Sequence, residues 1–284
     1  MARVRAERPD GAELFTDFDA LIQLERAADG LEPDGFIFHA SRCGSTLVSN
    51  ACRALEGAVV VSEAPIVDKL VWPYLAGDGG RLELLRRAFL RAAVRLLGRR
   101  RLGGERRYFV KFSCCSVLRL AFIRSVWQDV PWVFVHRDPI EIMVSNLRVV
   151  PEWMRAAEQP ELAAFVTGLD ADCAARLGPE EFCACALGNF YETAARESDA
   201  RAMLVGYEEL SAEKLVEIVR FYGVEPKAEE AARVRAVTNF YAKDAAAARR
   251  FEPDGAEKRS AATPLVRQMA ERWAAESYRR CVGR

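Results

Sequence analysis

The sequence predicts a three-layer α/β/α protein with a central, mainly parallel sheet of about five strands and a helical insertion. Short apolar runs recur along the chain, and a segment with helical periodicity separates each run from the next. Strands that alternate with helices pair in parallel through right-handed crossovers. The chain contains no internal repeat and no low-complexity linker, so residues 1–284 are interpreted as one domain, with a helical elaboration over 151–198 and a tail over 238–284.

The first two strands are short, and a polar segment follows each of them. The apolar run 35–38 ends in a turn and opens a helix at about 46–55. A second strand covers 58–61, and Pro65 bars the residue before it from the helical conformation. Glu63 is therefore expected just past the end of a strand.

The remaining elements follow the same alternation. Residues 81–98 place Leu, Phe and Val at helical spacing between arginines and end at Gly98, which predicts an amphipathic crossover helix. Residues 151–198 are predicted to be helical, with breaks near 168 and 178. Further strands are predicted at 108–112, 132–135 and 202–205, and further helices at about 17–28, 115–127, 140–148, 211–222, 226–237 and 265–280.

The composition indicates a folded chain without a global charge. Of the 284 residues 51% are apolar, which is enough for a sizeable core. The 41 basic and 41 acidic residues cancel, so no overall field would draw the protein onto nucleic acid or an anionic membrane. Any bound anion must be held by a local site, and nucleic acid is not expected as a partner.

The cysteines and the amino-terminal segment indicate a reducing compartment. Eight cysteines form no CxxC motif and no Cys/His pairing at zinc spacing, which predicts free thiols and no metal site. The first residues lack the apolar segment of a signal peptide, and no stretch approaches the ~18 uncharged apolar residues that span a bilayer. A cytoplasmic location without a membrane span is the expectation.

The turn from His39 to Thr46 has the make-up of an anion site. A strand, a tight turn at Gly44 and a helix that opens at Ser45 would present unpaired amides and two hydroxyls to a ligand. Arg42 adds a cation inside the turn, where a charge without a ligand would serve no structural purpose. An ordinary strand-to-helix turn, capped by Ser and Thr, is the alternative interpretation.

The same turn is not a Walker A loop. That motif, GxxxxGK[ST], requires Gly where this chain has His39 and Lys where it has Ser45. Hydrolysis of a nucleoside triphosphate is therefore disfavoured.

A second candidate anion site follows the strand at 132–135. Asp138 as N-cap and Glu141 three residues later form a well-signalled helix start that needs no ligand. Arg137, however, lies where the strand emerges, and Ser145 lies about two turns into the helix, so both can face an anion near the helix amino end. Two anion sites at adjacent strand ends fit a ligand with separated phosphates, bound at the carboxyl edge of the sheet.

These segments together resemble the PAPS-dependent sulfotransferase family, particularly its bacterial branch, which has a P-loop-type fold. The family's loop of the form (K/R)-S-G-(S/T)-T stands here as Arg42-Cys43-Gly44-Ser45-Thr46, and its later Arg, with a Ser eight residues on, stands as Arg137 and Ser145. Residues 205–210 and 221–224 resemble two later segments of the family. The resemblance covers about residues 35–225, in the family's order.

The resemblance implies a sulfotransferase that moves the sulfuryl group of 3′-phosphoadenosine 5′-phosphosulfate (PAPS) to a hydroxyl or amine and releases 3′,5′-ADP. The loop at 42–46 would hold the 5′-phosphosulfate, and Arg137 and Ser145 would hold the 3′-phosphate. A sulfuryl group carries less negative charge than a phosphoryl group, so no metal is expected. No motif indicates which small molecule or peptide is the acceptor, or the oligomeric state.

Arg42, Lys111 and Glu63 are the candidate catalytic side chains. A lysine inside the run Tyr-Phe-Val-Lys-Phe-Ser must be desolvated unless it faces a cleft, and an edge strand that directs it to solvent is the alternative. In relatives a lysine at this strand end reaches the transferring sulfuryl oxygens. Arg42 and Lys111 would then stabilise the charge that develops during transfer.

The identity of the catalytic base stays open. Cytosolic members of the family carry a His two residues after the lysine, whereas this chain has Ser113. Glu63 is the first substitute, because other branches use a carboxylate. His39 and His136, the only histidines, are the alternatives, although each is more often a packed imidazole at a strand end.

The carboxyl-terminal part of the chain is expected to supply a further contact to the 3′-phosphate. The family's gating loop, which contacts the 3′-phosphate, has no clean GxxGxxK match, and Arg249, Arg250 or Lys258 is expected to replace it. An ATP-dependent P-loop small-molecule kinase is an alternative function, since Asp138 follows Arg137. A nucleotide-binding relative without catalysis is another, suggested by the missing His.

Overall fold

Five parallel strands form the central sheet of this protein. The structure is a computed structural model, and it describes residues 6–7, 13–14, 18–72, 81–239 and 254–283. A small antiparallel ladder pairs β1 (Ala6–Glu7) with β2 (Glu13–Leu14). From edge to edge the central sheet consists of β4 (Ala58–Ser62), β5 (Arg107–Lys111), β3 (Gly35–His39), β6 (Trp132–His136) and β7 (Ala202–Gly206). The five predicted strands are therefore confirmed, with ends that differ from the prediction by at most one residue.

The apolar character of each strand matches its position in the sheet. Every residue of β3 and β6 is buried, and only the first residue of β5 is partly exposed. Strands that helices cover on both faces require such continuous apolar runs. The outer strands β4 and β7 consist mostly of half-buried residues.

The register brings the carboxyl ends of β3 and β6 side by side. His39, the last residue of β3, pairs with Val135, one residue before the end of β6. On the other side of β3, Ile37 pairs with Lys111, the last residue of β5. The segments that follow these three strands therefore emerge at one edge of the sheet.

The helices and the 3-10 segments connect the strands in the predicted alternation. Three short 3-10 helices lie at Cys114–Arg119, Glu152–Glu158 and Tyr207–Glu209, and a fourth lies at Val237–Asn239. The α-helices are α1 (Phe18–Ala27), α2 (Ser45–Arg53), α3 (Pro65–Val71), α4 (Arg81–Leu97), α5 (Leu120–Arg124), α6 (Pro139–Arg148), α7 (Pro160–Thr167), α8 (Ala171–Ala174), α9 (Pro179–Arg196), α10 (Ala212–Phe221), α11 (Ala228–Ala236), α12 (Gly255–Ala261), α13 (Pro264–Trp273) and α14 (Ala275–Val282).

Helices cover both faces of the sheet, which gives the three layers that the sequence predicts. Tyr222, directly after α10, packs against Phe109 with 5.4 Å between ring centroids. Tyr191 of α9 packs against Phe134 at 6.4 Å. In the strand register Phe109 and Phe134 point to opposite faces. The layer on the Phe109 face therefore contains α2 and α10, and the other layer contains α9 with α13 and α14.

Two predicted helices are wrong in their extent. The segment at 115–127 is a 3-10 helix followed by the single-turn helix α5. At its start the Ser113 hydroxyl binds Asp68 instead of capping a helix. At its end the Ser125 hydroxyl binds the carbonyl of Phe122. The segment at 265–280 bends at the buried Ala274, so that α13 and α14 both pack on α9.

The predicted start of α6 is confirmed, and two helices, α3 and α12, were missed. Asp138 caps α6, because its side chain accepts hydrogen bonds from the amides of Ile140 and Glu141 at 2.8 and 3.3 Å. Helix α3 was not predicted, although it begins at Pro65, and proline favours the first turn of a helix.

Within the described ranges, none of the helices combines the length and the apolar composition that crossing a membrane requires.

Candidate functional site

A cleft of about 940 Å³ opens at the carboxyl edge of the sheet. Its walls come from the segments after β3, β4, β5 and β6, and from α3, the 3-10 helix at Glu152–Glu158 and α12. Of the predicted site residues, the cleft is lined by Arg42, Gly44, Ser45, Thr46, Glu63, Lys111, Arg137, Ser145 and Lys258, and also by His39. The structure therefore brings both predicted anion sites into one cavity.

The loop between β3 and α2 has the backbone shape of an anion cradle. Ser41, Arg42 and Gly44 have φ values of 67°, 46° and 86°, in the left-handed region. Such turns direct successive amide groups into one concavity, and α2 adds its positive amino end. No side chain in the described part of the chain caps that end of α2. The amides are therefore available to a ligand.

Helix α6 and the segment after it brace this loop. The Ser41 hydroxyl donates to Asn146 Oδ1 at 3.3 Å, and the indole of Trp153 donates to the same hydroxyl at 3.4 Å. The Arg42 guanidinium donates to the carbonyl of Val149 at 3.4 Å. Packing thus compensates the strain of left-handed residues other than glycine.

Cys43 turns its side chain away from the cleft. Its thiol is fully buried and donates to the Val135 carbonyl at 3.0 Å. Burial raises the pKa of the thiol to about 12, so it stays protonated. Any contact of Cys43 with a ligand in the cleft must come from its backbone.

Arg137 lies at the centre of the second anion site, and its side chain is only 4% exposed. Its Nε donates to Glu141 at 2.6 Å, and a terminal nitrogen donates to Asp254 at 2.6 Å. The guanidinium carbon lies 3.9 Å from the centre of the Tyr207 ring, a cation–π contact. These three partners fix the guanidinium at the wall of the cleft.

Two acidic side chains, Asp254 and Glu141, form ion pairs with Arg137 and with the cations around it. Asp254 also accepts from Lys258 at 2.8 Å, and the buried Glu141 also pairs with Arg259. Burial raises the pKa of Asp254, but its bonds to Lys258 and Arg137 outweigh that effect and lower the value below the usual range. Asp254 is therefore a carboxylate held between two cations, in a position suited to an oxyanion.

Lys111 and Glu63 form an ion pair beside the first anion site, on the side of β3 that faces away from β6. Lys111 ends β5 and is 7% exposed, and its ammonium donates to Glu63 Oε1. The edge-strand alternative for Lys111 is wrong, because β5 lies between β3 and β4. Glu63 adopts a φ of 49°, and its amide donates to the Lys111 carbonyl at 2.7 Å.

The environment of Glu63 strongly favours its charged form. Burial raises the pKa of Glu63, but His39 and Lys111 outweigh burial and lower the pKa to about 2. The side chain is 45% exposed, so solvent weakens these interactions. A carboxylate with so low a pKa is a weak proton acceptor.

The two histidines occupy different environments. His39 lines the cleft, and its Nδ1 accepts from the Ser41 amide at 3.2 Å, which places the proton of the neutral ring on Nε2. Nε2 lies 3.4 Å from Glu63 Oε1, although it makes no hydrogen bond with any described residue. His136 does not line the cleft, and it packs edge-on against Tyr278 with 5.6 Å between ring centroids.

Asp68 is a cleft residue that sequence reasoning missed. Its Oδ1 accepts hydrogen bonds from the hydroxyls of Ser113 at 2.7 Å and Ser116 at 3.2 Å. Pro65 could have revealed it, because a helix that starts there puts residue 68 in the first turn, beside the strand end that carries Glu63.

Lys258 lies in the cleft, and the neighbouring predictions cannot be placed. Its side chain is 12% exposed and faces Asp254. Arg249 and Arg250 lie outside the described residues, so their predicted role stays a prediction.

No protein-family model and no curated protein matches the chain. Solved structures similar to it include the sulfotransferase domain of the olefin synthase from Synechococcus PCC 7002, with 14% identity, a TM-score of 0.49, and coverage of 86% of this chain and 95% of that chain. A sulfotransferase from Alicyclobacillus acidocaldarius has 13% identity and a TM-score of 0.44, with coverage of 87% of this chain and 96% of that chain. A mouse sulfotransferase complexed with PAP has 14% identity and a TM-score of 0.39, with coverage of 83% of this chain and 73% of that chain.

Proposed function

We propose that this chain is a PAPS-dependent sulfotransferase, which moves the sulfuryl group of PAPS to an acceptor hydroxyl or amine and releases 3′,5′-ADP. One observation carries the proposal. Arg42 and Arg137 follow the neighbouring parallel strands β3 and β6 and line the same cleft. A nucleotide with a phosphosulfate on one ribose oxygen and a phosphate on another needs two such sites at the carboxyl edge of a sheet.

The 5′-phosphosulfate is assigned to the loop between β3 and α2. The left-handed residues there turn amide groups inward, and α2 contributes its positive end. Arg42 and the hydroxyl of Thr46 line the cleft beside these amides. Together they supply the hydrogen-bond donors that an anionic group requires.

The 3′-phosphate is assigned to Arg137, Ser145 and Lys258. Arg137 and Lys258 both bind a carboxylate of the protein, that of Asp254. A phosphate carries more charge and more acceptor atoms than a carboxylate, and guanidinium groups bind both in the same geometry. The phosphate therefore replaces Asp254 when the nucleotide binds.

Transfer takes place where Lys111 and Arg42 can reach the sulfur. The acceptor oxygen forms a bond to sulfur and gives up its proton to a base in the cleft. The bond from sulfur to the bridging oxygen breaks, and the electron pair of that bond remains on the 5′-phosphate of 3′,5′-ADP. Lys111 and Arg42 stabilise the charge that collects on these oxygens, an electrostatic contribution like that in phosphoryl transfer. Glu63 takes part by holding the Lys111 ammonium in the cleft.

The acceptor is a small molecule in this proposal. Two indole side chains, of Trp72 and Trp153, line the cleft together with Leu162. Clefts that bind small molecules combine apolar and aromatic walls with a few polar groups. The exposed side chains of Lys69 and Arg155 add positive charge to the lining.

A thermal-shift experiment separates this proposal from a kinase. We expect 3′,5′-ADP without metal to raise the melting temperature, and ATP with Mg²⁺ to have no comparable effect. Stabilisation by ATP with Mg²⁺ alone would identify a kinase instead. The side chain of Asp138, which would support a kinase, is engaged as the cap of α6.

Transfer is tested with sulfur-labelled PAPS and a panel of phenols, alcohols, amines and peptides. We expect label on a small-molecule acceptor, and label on peptides only would correct the acceptor class. Tight binding of 3′,5′-ADP without release of label to any acceptor or to water would identify a binding protein without catalysis. The test variant is Arg137→Ala, which removes the proposed phosphate ligand. Its control is Arg148→Ala, which changes an arginine at the carboxyl end of α6 that is 59% exposed.

A further inference from the structure

Another carboxylate that lines the cleft, Asp68, differs from Glu63 in its partners. Asp68 lies in the first turn of α3, and its side chain lines the cleft. Both hydrogen bonds from Ser113 and Ser116 reach the same oxygen, Oδ1. Two hydroxyl groups thus orient the carboxylate without pairing it with a cation.

Asp68, Ser113 and Ser116 form a cluster next to the carboxyl end of β5, where the proposed transfer takes place. Ser113 follows Lys111 by two residues, so the cluster lies directly after the strand end that carries the cleft lysine. Helix α3 is held in place by Arg86 of α4, whose guanidinium donates to the carbonyls of Leu70 and Val71 at 3.0 and 3.3 Å. Asp68 is therefore mounted on a fixed element beside the proposed site of sulfuryl transfer.

The two carboxylates differ in their capacity to accept a proton. Burial raises the pKa of Asp68, its bonds to Ser113 and Ser116 oppose the rise, and the charge of Glu63 adds to it, so the pKa lies above the usual range. Glu63 pairs with Lys111, and its pKa lies at about 2. A base works best when its pKa approaches the working pH, which favours Asp68 over Glu63.

The charged groups around Asp68 come from each element packed against α3. Glu63 and Lys111 stand at the ends of β4 and β5 as an ion pair. Helix α4 contributes Arg86, which is engaged with the end of α3, and the 3-10 helix contributes Cys114, whose pKa is raised well above its ordinary value by burial. Of these groups, Glu63 acts on Asp68 through its charge and adds to the rise in the pKa of Asp68.

We infer that Asp68 is the general base of the reaction, the residue that takes the proton of the acceptor. This inference rests on the proposed sulfotransferase function. As the acceptor oxygen forms its bond to sulfur, its O–H bond breaks and the proton passes to the Asp68 carboxylate. The bond from sulfur to the bridging oxygen breaks at the same time, and 3′,5′-ADP leaves with that electron pair. The hydroxyls of Ser113 and Ser116 hold the carboxylate in position.

The first test compares Asp68→Asn, Glu63→Gln and the control Asp129→Asn, which changes an exposed carboxylate at the amino end of β6. The measured quantity is the release of 3′,5′-ADP from PAPS, with phenol, 4-nitrophenol and water as acceptors. Loss of a general base lowers kcat by about 10²-fold or more. We expect this loss for Asp68→Asn with phenol, and a smaller loss with 4-nitrophenol, which ionises near neutral pH and needs less help from a base. Binding of 3′,5′-ADP should stay unchanged.

The second test changes Ser113 and Ser116 and measures the pH dependence of kcat. If Asp68 had only a structural role, these changes would not shift that pH dependence. Ser113→Ala with Ser116→Ala removes two donors that favour the charged carboxylate, which raises the pKa of Asp68. The acidic limb of kcat should then shift to higher pH by on the order of one unit.

The results show whether Asp68 or Glu63 is the base, or they refute the proposed sulfotransferase function. A wild-type chain that turns over while Asp68→Asn keeps its kcat would overturn the inference, and a large loss in Glu63→Gln alone would transfer the role to Glu63. A limb that does not move in the serine variant would also contradict it. A wild-type chain that neither binds 3′,5′-ADP nor consumes PAPS would instead refute the proposed function, and one that binds 3′,5′-ADP without turnover would refute catalysis as a whole.

Discussion

A terminal nitrogen of Arg137 lies 2.6 Å from Oδ1 of Asp254, a residue more than a hundred positions later in the chain. Lys258 holds the other oxygen of the same carboxylate at 2.8 Å. The basic site at the end of β6 is therefore filled by an acidic side chain of the protein. In the proposed function this carboxylate occupies the place of the 3′-phosphate, and the two must compete.

Removal of Asp254 should strengthen nucleotide binding. Without its carboxylate, Arg137 and Lys258 are free to bind the phosphate, and a like-charge contact is lost. We expect Asp254→Ala to bind 3′,5′-ADP on the order of tenfold more tightly by calorimetry. Glu257→Ala serves as the control, since that side chain lies in the first turn of α12, which begins directly after Asp254, and is 70% exposed. Weaker binding by Asp254→Ala would show that Asp254 supports the site and does not compete for it.

A β-carbon at Gly44 should disrupt the loop that we assign to the phosphosulfate. Gly44 has a φ of 86°, and a Cβ there would lie 2.8 Å from the Tyr207 ring and 2.9 Å from Leu210. Gly44→Ala should lower the free energy of unfolding by about 1–3 kcal/mol and abolish binding of 3′,5′-ADP. Gly103→Ala isolates the backbone effect, because Gly103 has a φ of 79° but no atom within 4 Å of its Cβ position. Nucleotide binding by Gly44→Ala at the wild-type level would contradict the assignment.

Loss of the Lys111 ammonium should affect transfer more than binding. The group stabilises charge that develops during the reaction, so Lys111→Met should lower kcat by about 10²-fold and leave the Kd for 3′,5′-ADP unchanged. The double variant Lys111→Met with Glu63→Gln avoids an unpaired carboxylate and should show the same loss. Lys214→Met, a surface lysine paired with Glu217, is the control. An equal loss in binding and in kcat would mean that Lys111 serves only to bind the nucleotide.

His136 should make the fold less stable in mild acid. Burial lowers the pKa of His136 to about 4, and its Nδ1 has no hydrogen-bond partner among the described residues. Between about pH 6.5 and pH 4 the unfolded chain binds a proton that the native state refuses, so stability falls as the pH falls, by up to about 3 kcal/mol.

Urea unfolding at pH 7 and pH 4.5 measures this effect. We expect His136→Phe to reduce the difference between the two pH values, because the phenyl ring has no proton to gain. Any constant packing cost of the substitution cancels in that difference. A pH dependence that equals that of the wild type would show that other groups, such as the buried His39, cause the acid sensitivity.

Patterns in neighbouring residues predicted the sheet and most of the cleft. The strands were found because each is a short apolar run, and their alternation with helices predicted the parallel pairing, whereas the register came from the structure. Arg42, Lys111 and Arg137 each lie at or directly after a strand end, so the fold class alone brings them to one edge. The same reasoning placed Glu63, although its ion pair with Lys111 depends on a left-handed backbone that the residue type does not indicate.

The contacts that the sequence did not reveal join segments far apart in the chain. The hydrogen bond between Ser113 and Asp68 spans 45 positions, and the pair of Arg137 with Asp254 spans 117. Asp68 and Asp254 belong to none of the motifs found in the sequence, and periodicity and capping signals do not indicate which distant residue each carboxylate binds. Cys43 does belong to a loop motif, which predicts its place in the chain. The motif does not indicate the direction of the side chain, whose thiol donates to the Val135 carbonyl.

A crystal structure with 3′,5′-ADP tests the central claim most directly. We expect the 5′-phosphate within hydrogen-bond distance of the amides at 42–46, the 3′-phosphate on Arg137 and Lys258, and Asp254 displaced from both cations. A nucleotide that contacts only one of the two arginines, or that lies outside the cleft between β3 and β6, would contradict the assignment.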